Sequence, residues 1–530
     1  MSADHTPSPR LPLLLLVSAL FALAHTQSPL FFSNQNQYLL HGLAEAGYGH
    51  LATDWLATTK DPTPVFSTLV SLLFRTGGLH AIQVVHFVLL MAYFAGMWSL
   101  VSALGPVRFL PYAALFTAAH AALFRLLSVR LLEVDYPWYF QAGVAGQYVL
   151  GPGLQPSAFG VLLVASLAAF ARGRIRLAAV LAAGSTLFHA TYLFPAALLT
   201  IGYAIRLVQD GKPKDAVRVC GVSLAIAAPL AAYVYESFAD GGVKSNGAAQ
   251  YVLANIRIPH HSQVGRWFDV VAGLQIAWIA IGLILLRQTR LGVPLAVAAA
   301  LGTLFTAVQA FANNDAFALM FPWRISVVLV PVATAAVAAR LSLLDRESRA
   351  IDFLGGMLML VQAAGGAAIL ALGLGYAMNE SEVPLLNHVR EHARPGDTYL
   401  IPTRIPPLAT GARGAKSTSF TPPPRPKPGS NLIPVDLQRF RLATGAAIYV
   451  DFKSVPYSTT DVHEWHRRML QAEKWYDEKS WDKAETQAAL KKEGLTHIVL
   501  SRGSANEPPL LSAGLELEHA DAAYAVYRLK

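Results

Sequence analysis

The sequence predicts an α-helical polytopic membrane domain followed by a small extracytoplasmic α/β domain. Composition is the first observation behind this. The 530 residues are 54% hydrophobic and 14% charged, against about 25% charged for an ordinary soluble domain, and mean hydropathy is +0.40. So little polar material cannot coat the surface of a water-soluble enzyme of this size. The second observation is a charge split. Residues 380–530 hold 20 Lys+Arg and 18 Asp+Glu, whereas residues 1–379 hold 22 and 15. The predicted domains are therefore 1–379, with structured outer loops at 31–78, 129–155 and 236–267, and 380–530, with a proline-rich loop at 402–434. The lone cysteine, Cys220, excludes an internal disulfide and a cysteine metal cluster.

A membrane-crossing helix needs roughly 20 mostly apolar residues for about 30 Å of hydrocarbon. Apolar runs at 11–30, 79–104, 109–128, 156–171, 217–235, 268–286, 291–311, 317–339 and 351–377 qualify. The stretch 177–205 is too long for one upright span and short for two. Basic residues settle the orientation, because short cytoplasmic loops retain Lys and Arg. Arg10, Arg108, the cluster Arg172, Arg174 and Arg176, the segment 206–218, Arg287 with Arg290, and Arg340 with Arg346 and Arg349 all fall inside if 177–205 is a hairpin with its tip near His189. That predicts about eleven segments, a cytoplasmic N-terminus and an extracytoplasmic C-terminal domain. The alternative, one tilted helix, puts a basic loop outside. Residues 1–24 also resemble a secretory signal ending in Ala22-Leu23-Ala24, and retention is the preferred reading.

The outer loops carry the unusual sequence. In 31–78, Ser33-Asn34 can start an amphipathic helix over 35–46, Gly47 and Gly49 can end it, and 65–74 is apolar enough to lie in the interface or re-enter the membrane. Asp54, before Trp55, reads either as a helix cap or as an exposed acid with chemistry to do. In the second loop, Glu133 and Asp135 are two apart, so an extended backbone aims both carboxylates one way. Such a pair can hold Mg or Mn or share a proton, and a solvated acidic loop is the plainer reading. A fourth outer loop is short, 312–316. Arg324 follows Phe321-Pro322-Trp323 near the outer end of an apolar span. A charge at that depth faces a wet cavity or a partner and suits a lipid-linked phosphate; the other reading is snorkelling to headgroups. His189 at the hairpin tip either touches a substrate or packs. The third loop, with Lys244, Arg257, His260 and His261, reads equally as a substrate-engaging loop or a connector.

In the C-terminal domain the predicted order is a helix at 384–394, a strand at 398–401, a strand at 446–452, a helix over 461–477 opened by Asp461 and Glu464 as cap and capping-box partner, a helix at 481–493, and strands at 496–501, 515–519 and 523–529. That order implies a small α/β sheet. Its cations Arg439, Arg441, Lys453, Arg467 and Arg468, with Asp451 and His463, read as a phosphate or glycan site or as a generic basic surface. Glycine-rich phosphate loops, metalloprotease motifs and nucleophile elbows are not found. The charge pattern does not suit nucleic acid.

This layout resembles the GT-C class of polytopic membrane glycosyltransferases, which use polyprenyl-phosphate-linked sugars at the outer membrane face. The strings Asn34-Gln35-Asn36-Gln37-Tyr38, Asp54-Trp55-Leu56 and Asp451-Phe452-Lys453-Ser454-Val455-Pro456-Tyr457 also look like an uncharacterised bacterial group of such proteins. The resemblance implies Asp54 as catalytic base or metal ligand, Glu133 and Asp135 as a metal pair, and Arg324 as the group that holds the donor phosphate; His189, Arg439, Arg441, Lys453 and Arg468 are candidate substrate-binding groups on the reading of the residues given above. It implies a divalent metal, a polyprenyl-phosphate sugar donor, a glycan or protein acceptor, membrane lipid as the environment and no nucleic acid. It places the chain in a bacterial inner membrane, and the Ala- and Arg-rich composition fits a GC-rich bacterium. Two departures stand against an oligosaccharyltransferase proper. Asn34 and Asn36 occupy the zone after the first span where many relatives carry an acid, and Lys474-Trp475-Tyr476-Asp477 is not their Trp-Trp-Asp-Tyr-Gly motif. The rival readings are a non-enzymatic transporter or flippase for an envelope lipid and an envelope assembly protein. No internal inverted repeat is seen, and the large outer domain fits transport poorly.

Overall fold

The computed structural model describes residues 9–238, 243–344, 348–376, 379–405, 435–502 and 514–530. The proline-rich loop predicted at 402–434 lies almost entirely outside the described residues. Apolar helices dominate the first 372 residues. Six are long and apolar enough to cross a membrane, and seven if the bent pair Phe109–Ala118 and Ala122–Leu132 is one span. Shorter apolar helices occupy Leu11–His25, Pro156–Ala171, Ile175–Phe188 and Val270–Leu286. The chain is a multi-pass membrane protein.

The 177–205 stretch breaks at His189 into helices Ile175–Phe188 and Leu193–Gln209, joined by the 3-10 turn Ala190–Tyr192. Residues 65–74 do not form a separate interfacial segment. They begin one 39-residue helix, Pro64–Ser102, kinked at Gly78 with φ 63°. At 1.5 Å per residue such a helix is about 58 Å long, nearly twice the hydrocarbon thickness. In its first half, Phe66 and Val70 join a core shared with the C-terminal region. The span predicted at 317–339 falls within the candidate span Asp315–Leu341, whose regular helix is Ser326–Leu341. Before it, Phe321 takes a left-handed conformation and Pro322–Ile325 form a 3-10 turn. Pro322 has no N–H to continue a helix through this point.

The C-terminal region builds a five-stranded sheet in the order β2-β1-β3-β5-β4, with β1 Thr398–Leu400, β2 Ala447–Ile448, β3 His497–Ser501, β4 Leu515–Ala520 and β5 Tyr524–Leu529. β1 runs parallel to β2 and β3, while β5 is antiparallel to β3 and β4. The strand expected over 446–452 shortens to two paired residues, because the chain turns at Asp451, whose Oδ1 accepts from the Ser454 N–H at 2.5 Å. Helix Thr459–Glu478 packs its Val462, Trp465, Met469 and Ala472 stripe on the sheet. Its cap is Ser458, whose side chain accepts from the Asp461 N–H, and Glu464 serves ion pairs instead of a capping box.

One core joins the segment 31–63 to this sheet. Leu39, Leu40, Leu43, Leu51 and Leu56 bury with Leu385, Tyr399, Phe440 and Tyr524. Two backbones nearly touch there. The His50 N–H donates to the Gly445 carbonyl at 2.6 Å, and a Cβ on Gly49 would lie 2.5 Å from that oxygen. Both glycines have positive φ, +55° and +72°, a conformation that glycine adopts at no steric cost.

Candidate functional site

The three strings singled out in the sequence meet at this junction. Gln37 pairs twice with Val455, its Nε2 donating to the Val455 carbonyl at 3.0 Å and its Oε1 accepting from the Val455 N–H at 2.7 Å. The Ser454 hydroxyl donates to the Asn36 carbonyl. This clasp brings Tyr457 against Tyr38, and the two hydroxyls interact.

Behind the tyrosine pair lie two arginines. Arg324 is 8% exposed. Its Nη2 donates to His189 Nε2 at 3.1 Å, and its guanidinium sits 5.3 Å from the centre of the Tyr192 ring. A guanidinium only donates, so His189 accepts through Nε2 and carries its proton on Nδ1. Burial, and then the neighbouring Arg324, hold the His189 imidazole well below its usual pKa, so it is neutral. Tyr38 packs edge-on to His189, with ring centres 5.8 Å apart. Arg257 ends the π-helical turn Val252–Arg257. It donates to the Lys453 carbonyl and stacks on Phe452 at 5.2 Å. Burial lowers its pKa. Burial raises those of Tyr38 and Tyr457, against the pull of both Arg324 and Arg257.

The Nε atoms of Arg324 and Arg257 are buried without a hydrogen-bond partner, and among the described residues neither guanidinium forms an ion pair with a carboxylate. A buried cation without a counter-ion costs several kcal/mol. Two such cations bearing on one hydroxyl pair make a site whose natural complement is an anion, and a phosphate offers the oxygens both forks can grip.

Residues 426–472 match a family described as a domain of unknown function, DUF6798. That stretch includes Arg439, Arg441, the whole 451–457 clasp and Arg468. Comparison with curated proteins finds no match. Among solved structures, the chain is similar to the oligosaccharyltransferase of Archaeoglobus fulgidus in its complex with Zn and sulfate, with a TM-score of 0.42, 10% identity, and 92% of this chain and 68% of that one covered. The same enzyme tethered to an acceptor peptide containing the NVT sequon gives 0.36, 10%, 92% and 69%. At these scores the likeness bears on neither chemistry nor site.

Asp54 takes a different place from the one its sequence context suggested. It is 0% exposed. Its Oδ2 accepts from Arg441 Nε at 2.8 Å and the Ile448 N–H at 3.0 Å, and its Oδ1 accepts from the Leu56 N–H at 2.9 Å. Arg441 reaches Asp451 Oδ2 with Nη1, also at 2.8 Å. Burial pulls the Arg441 pKa down, and the two carboxylates more than offset it, so the guanidinium titrates above its usual value. The Asp54 carboxylate is buried and already engaged by three donors, so no acceptor hydroxyl reaches it in this arrangement. Asp54 ties the first outer loop to the sheet.

The acid pair also separates. Glu133 is exposed at a left-handed helix end, and Asp135 is 1% exposed. Both Nε and Nη2 of Arg125 donate to Asp135 Oδ2, at 3.0 and 2.8 Å. A guanidinium on the carboxylate repels a divalent ion, and the described residues contain no group of three His, Cys, Asp or Glu suited to one. Glu133 and Asp135, so placed, do not fit a metal.

The sheet-domain cations are mostly neutralised. Arg439 pairs with Glu382. Arg468 bonds Glu464 at 2.7 Å and stacks on Trp55 at 4.3 Å, another tie between loop and sheet. Lys453 enters the site through its backbone carbonyl. Of the residues expected to bind substrate, the fold brings together Arg324 and His189. Asp315 was not singled out from the sequence. Its Oδ1 accepts from Asn255 Nδ2 and Gln263 Nε2, both at 3.0 Å, and among the described residues no cation pairs with it. An acid in the short 312–316 outer loop, on the same connection as Arg324, was the available signal.

Proposed function

We propose that the protein is a GT-C-like glycosyltransferase of a bacterial inner membrane. In this reading it has eleven membrane segments, a cytoplasmic N-terminus and an outer C-terminal domain, and it transfers a sugar from a polyprenyl-phosphate donor to a glycan or protein hydroxyl. The observation that carries it is the pair of buried guanidiniums without carboxylates, Arg324 and Arg257, beside the Tyr38–Tyr457 clasp. The donor phosphate lies between them. As the bond from sugar C1 to the phosphate oxygen breaks, its electron pair stays on that oxygen, and the growing charge meets two fixed cations. The acceptor oxygen forms the new bond to C1 and loses its proton. Asp315 is the base in this reading, because neutral amides orient it without cancelling its charge, and segment 252–263 holds it while also carrying Arg257.

A second reading, lipid-phosphate handling without transfer, is favoured by one observation: the acids first expected at the reaction centre, Asp54 and Asp135, are each consumed by an arginine. One experiment separates the two. Lipid and glycan profiles are compared between a deletion strain and strains carrying Arg324→Gln, Arg257→Gln or Asp315→Asn at wild-type protein levels. Transfer predicts an accumulated lipid-linked sugar in all of them. A normal profile in Arg324→Gln refutes the phosphate site, and a normal profile in Asp315→Asn alone refutes the base and favours handling without transfer.

A further inference from the structure

A cleft opens at the same junction, lined in part by Phe31, Tyr48 and Ala443. Its cavity is about 400 Å³, within the roughly 300–1,000 Å³ of small-ligand sites. Leu30, Phe31, Leu79 and Leu386 form apolar walls, and Arg390 and Arg439 stand at its polar side. Three features set its level and its charge. Leu30 and Phe31 follow directly on the outer end of the apolar helix Leu11–His25, and Leu79 follows the Gly78 kink where the apolar half of Pro64–Ser102 begins. With the C-terminal domain outside, as proposed above, the cleft lies at the outer surface of the bilayer. Arg439 is paired with Glu382, whereas Arg390 donates only its Nε, to the Ala443 carbonyl at 2.9 Å. Among the described residues no carboxylate pairs with Arg390, so the cleft carries a net positive charge above an apolar floor.

We infer that this cleft seats an anionic phospholipid of the outer leaflet, with an acyl chain against Leu30, Leu79 and Leu386 and the headgroup phosphate on Arg390. The inference rests on the orientation in the proposed function but not on its transfer chemistry. It also reaches the loop–sheet clamp. Arg439 and Ala443, four residues apart, line the cleft, while Arg441 between them holds Asp54. A lipid in the cleft braces the segment that keeps the outer loop on the sheet.

The test uses the full-length protein in a neutral detergent, titrated with dioctanoyl phosphatidylglycerol, dioctanoyl phosphatidylcholine or glycerol phosphate. Binding is read by native mass spectrometry and by melting temperature. Phosphatidylglycerol should bind saturably and raise the melting temperature, phosphatidylcholine should bind more weakly, and glycerol phosphate should not bind. Arg390→Gln should weaken phosphatidylglycerol about fivefold, the effect of one basic residue near an anionic lipid surface. Val383→Trp, at a half-exposed lining position, should block the cleft. Both variants should melt as wild type without lipid; if Val383→Trp does not fold, the Arg390→Gln titration decides. Equal affinity for the two lipids, binding of glycerol phosphate alone, or undiminished phosphatidylglycerol binding by Arg390→Gln would overturn the assignment.

Discussion

Replacing Asp54 or Arg441 separates a clamp from a catalyst, and the two changes should not cost the same. Asp54, Arg441 and Asp451 form a buried triad of two anions around one cation, all three side chains at most 4% exposed. Arg441→Met strips the cation and leaves two carboxylates facing each other in a dry core. Removing one partner of a buried pair costs about 3–5 kcal/mol. Asp54→Asn is milder, because Arg441 keeps Asp451 at 2.8 Å. The amide oxygen can still accept from Arg441 Nε and the Ile448 N–H, but the amide nitrogen then faces the Leu56 N–H, donor against donor. That single orphaned N–H costs about 1–3 kcal/mol. At about 2–4 °C per kcal/mol for a folding unit of this size, Arg441→Met should lower the melting point of the outer region by roughly 10 °C or more, and Asp54→Asn by roughly half that or less. The assay is thermal denaturation of the detergent-solubilised protein, followed by tryptophan fluorescence, since Trp55 stacks on Arg468 at the same junction. If Asp54→Asn melted as wild type yet lost all activity, Asp54 would be reacting and not clamping, and the reasoning above would fail.

Two further expectations concern the same interface. Gly49→Ala should destabilise the outer region by about 1–3 kcal/mol from the left-handed backbone alone, and by more because its Cβ would sit 2.5 Å from the Gly445 oxygen; limited proteolysis between the loop and the sheet should accelerate, and unchanged cleavage would refute the close approach. Glu464 is held down to about 2 by hydrogen bonds from Arg467 and then Arg468, and Glu493 is also lowered, first by Arg467. Because the folded pKa lies below the ordinary value of 4.5, the stabilisation from Glu464 is complete above that pH and is lost as pH falls from there towards about 2. Acid melting curves should show Glu464→Gln less stable than wild type at neutral pH and the two converging at low pH; parallel curves would remove the pair from the stability account.

Much of the architecture was legible because its causes are local. Apolar runs mark most helix positions to within a few residues, the early start at Pro64 being the main exception, and the break at His189 follows from a stretch too long for one span and flanked by arginines at both ends. Strand and helix order in the C-terminal region follows hydrophobic periodicity in the same way, with Val462, Trp465, Met469 and Ala472 all on the buried stripe. The candidate site was legible only in part. Arg324 stood out because a charge in an apolar run needs a reason, and His189 because a hairpin tip is exposed to partners. Arg257 drew notice only as one of several basic residues in its loop, and Asp315 looked like an ordinary loop acid.

The roles of the acids were beyond local reading. Asp54 and Arg441 are 387 residues apart, and nothing near either shows that the other will neutralise it. Asp135 looked like half of a chelate until the fold turned Glu133 to solvent and set Arg125 on its carboxylate. The sequence by itself determined which segments are apolar, where the chain must turn and which residue types are available for chemistry, because hydrophobic burial and backbone sterics act on neighbours along the chain. Only the tertiary structure decided which charges cancel and which remain, because ion pairing in a low-dielectric interior depends on distance in space and on what has been stripped of water.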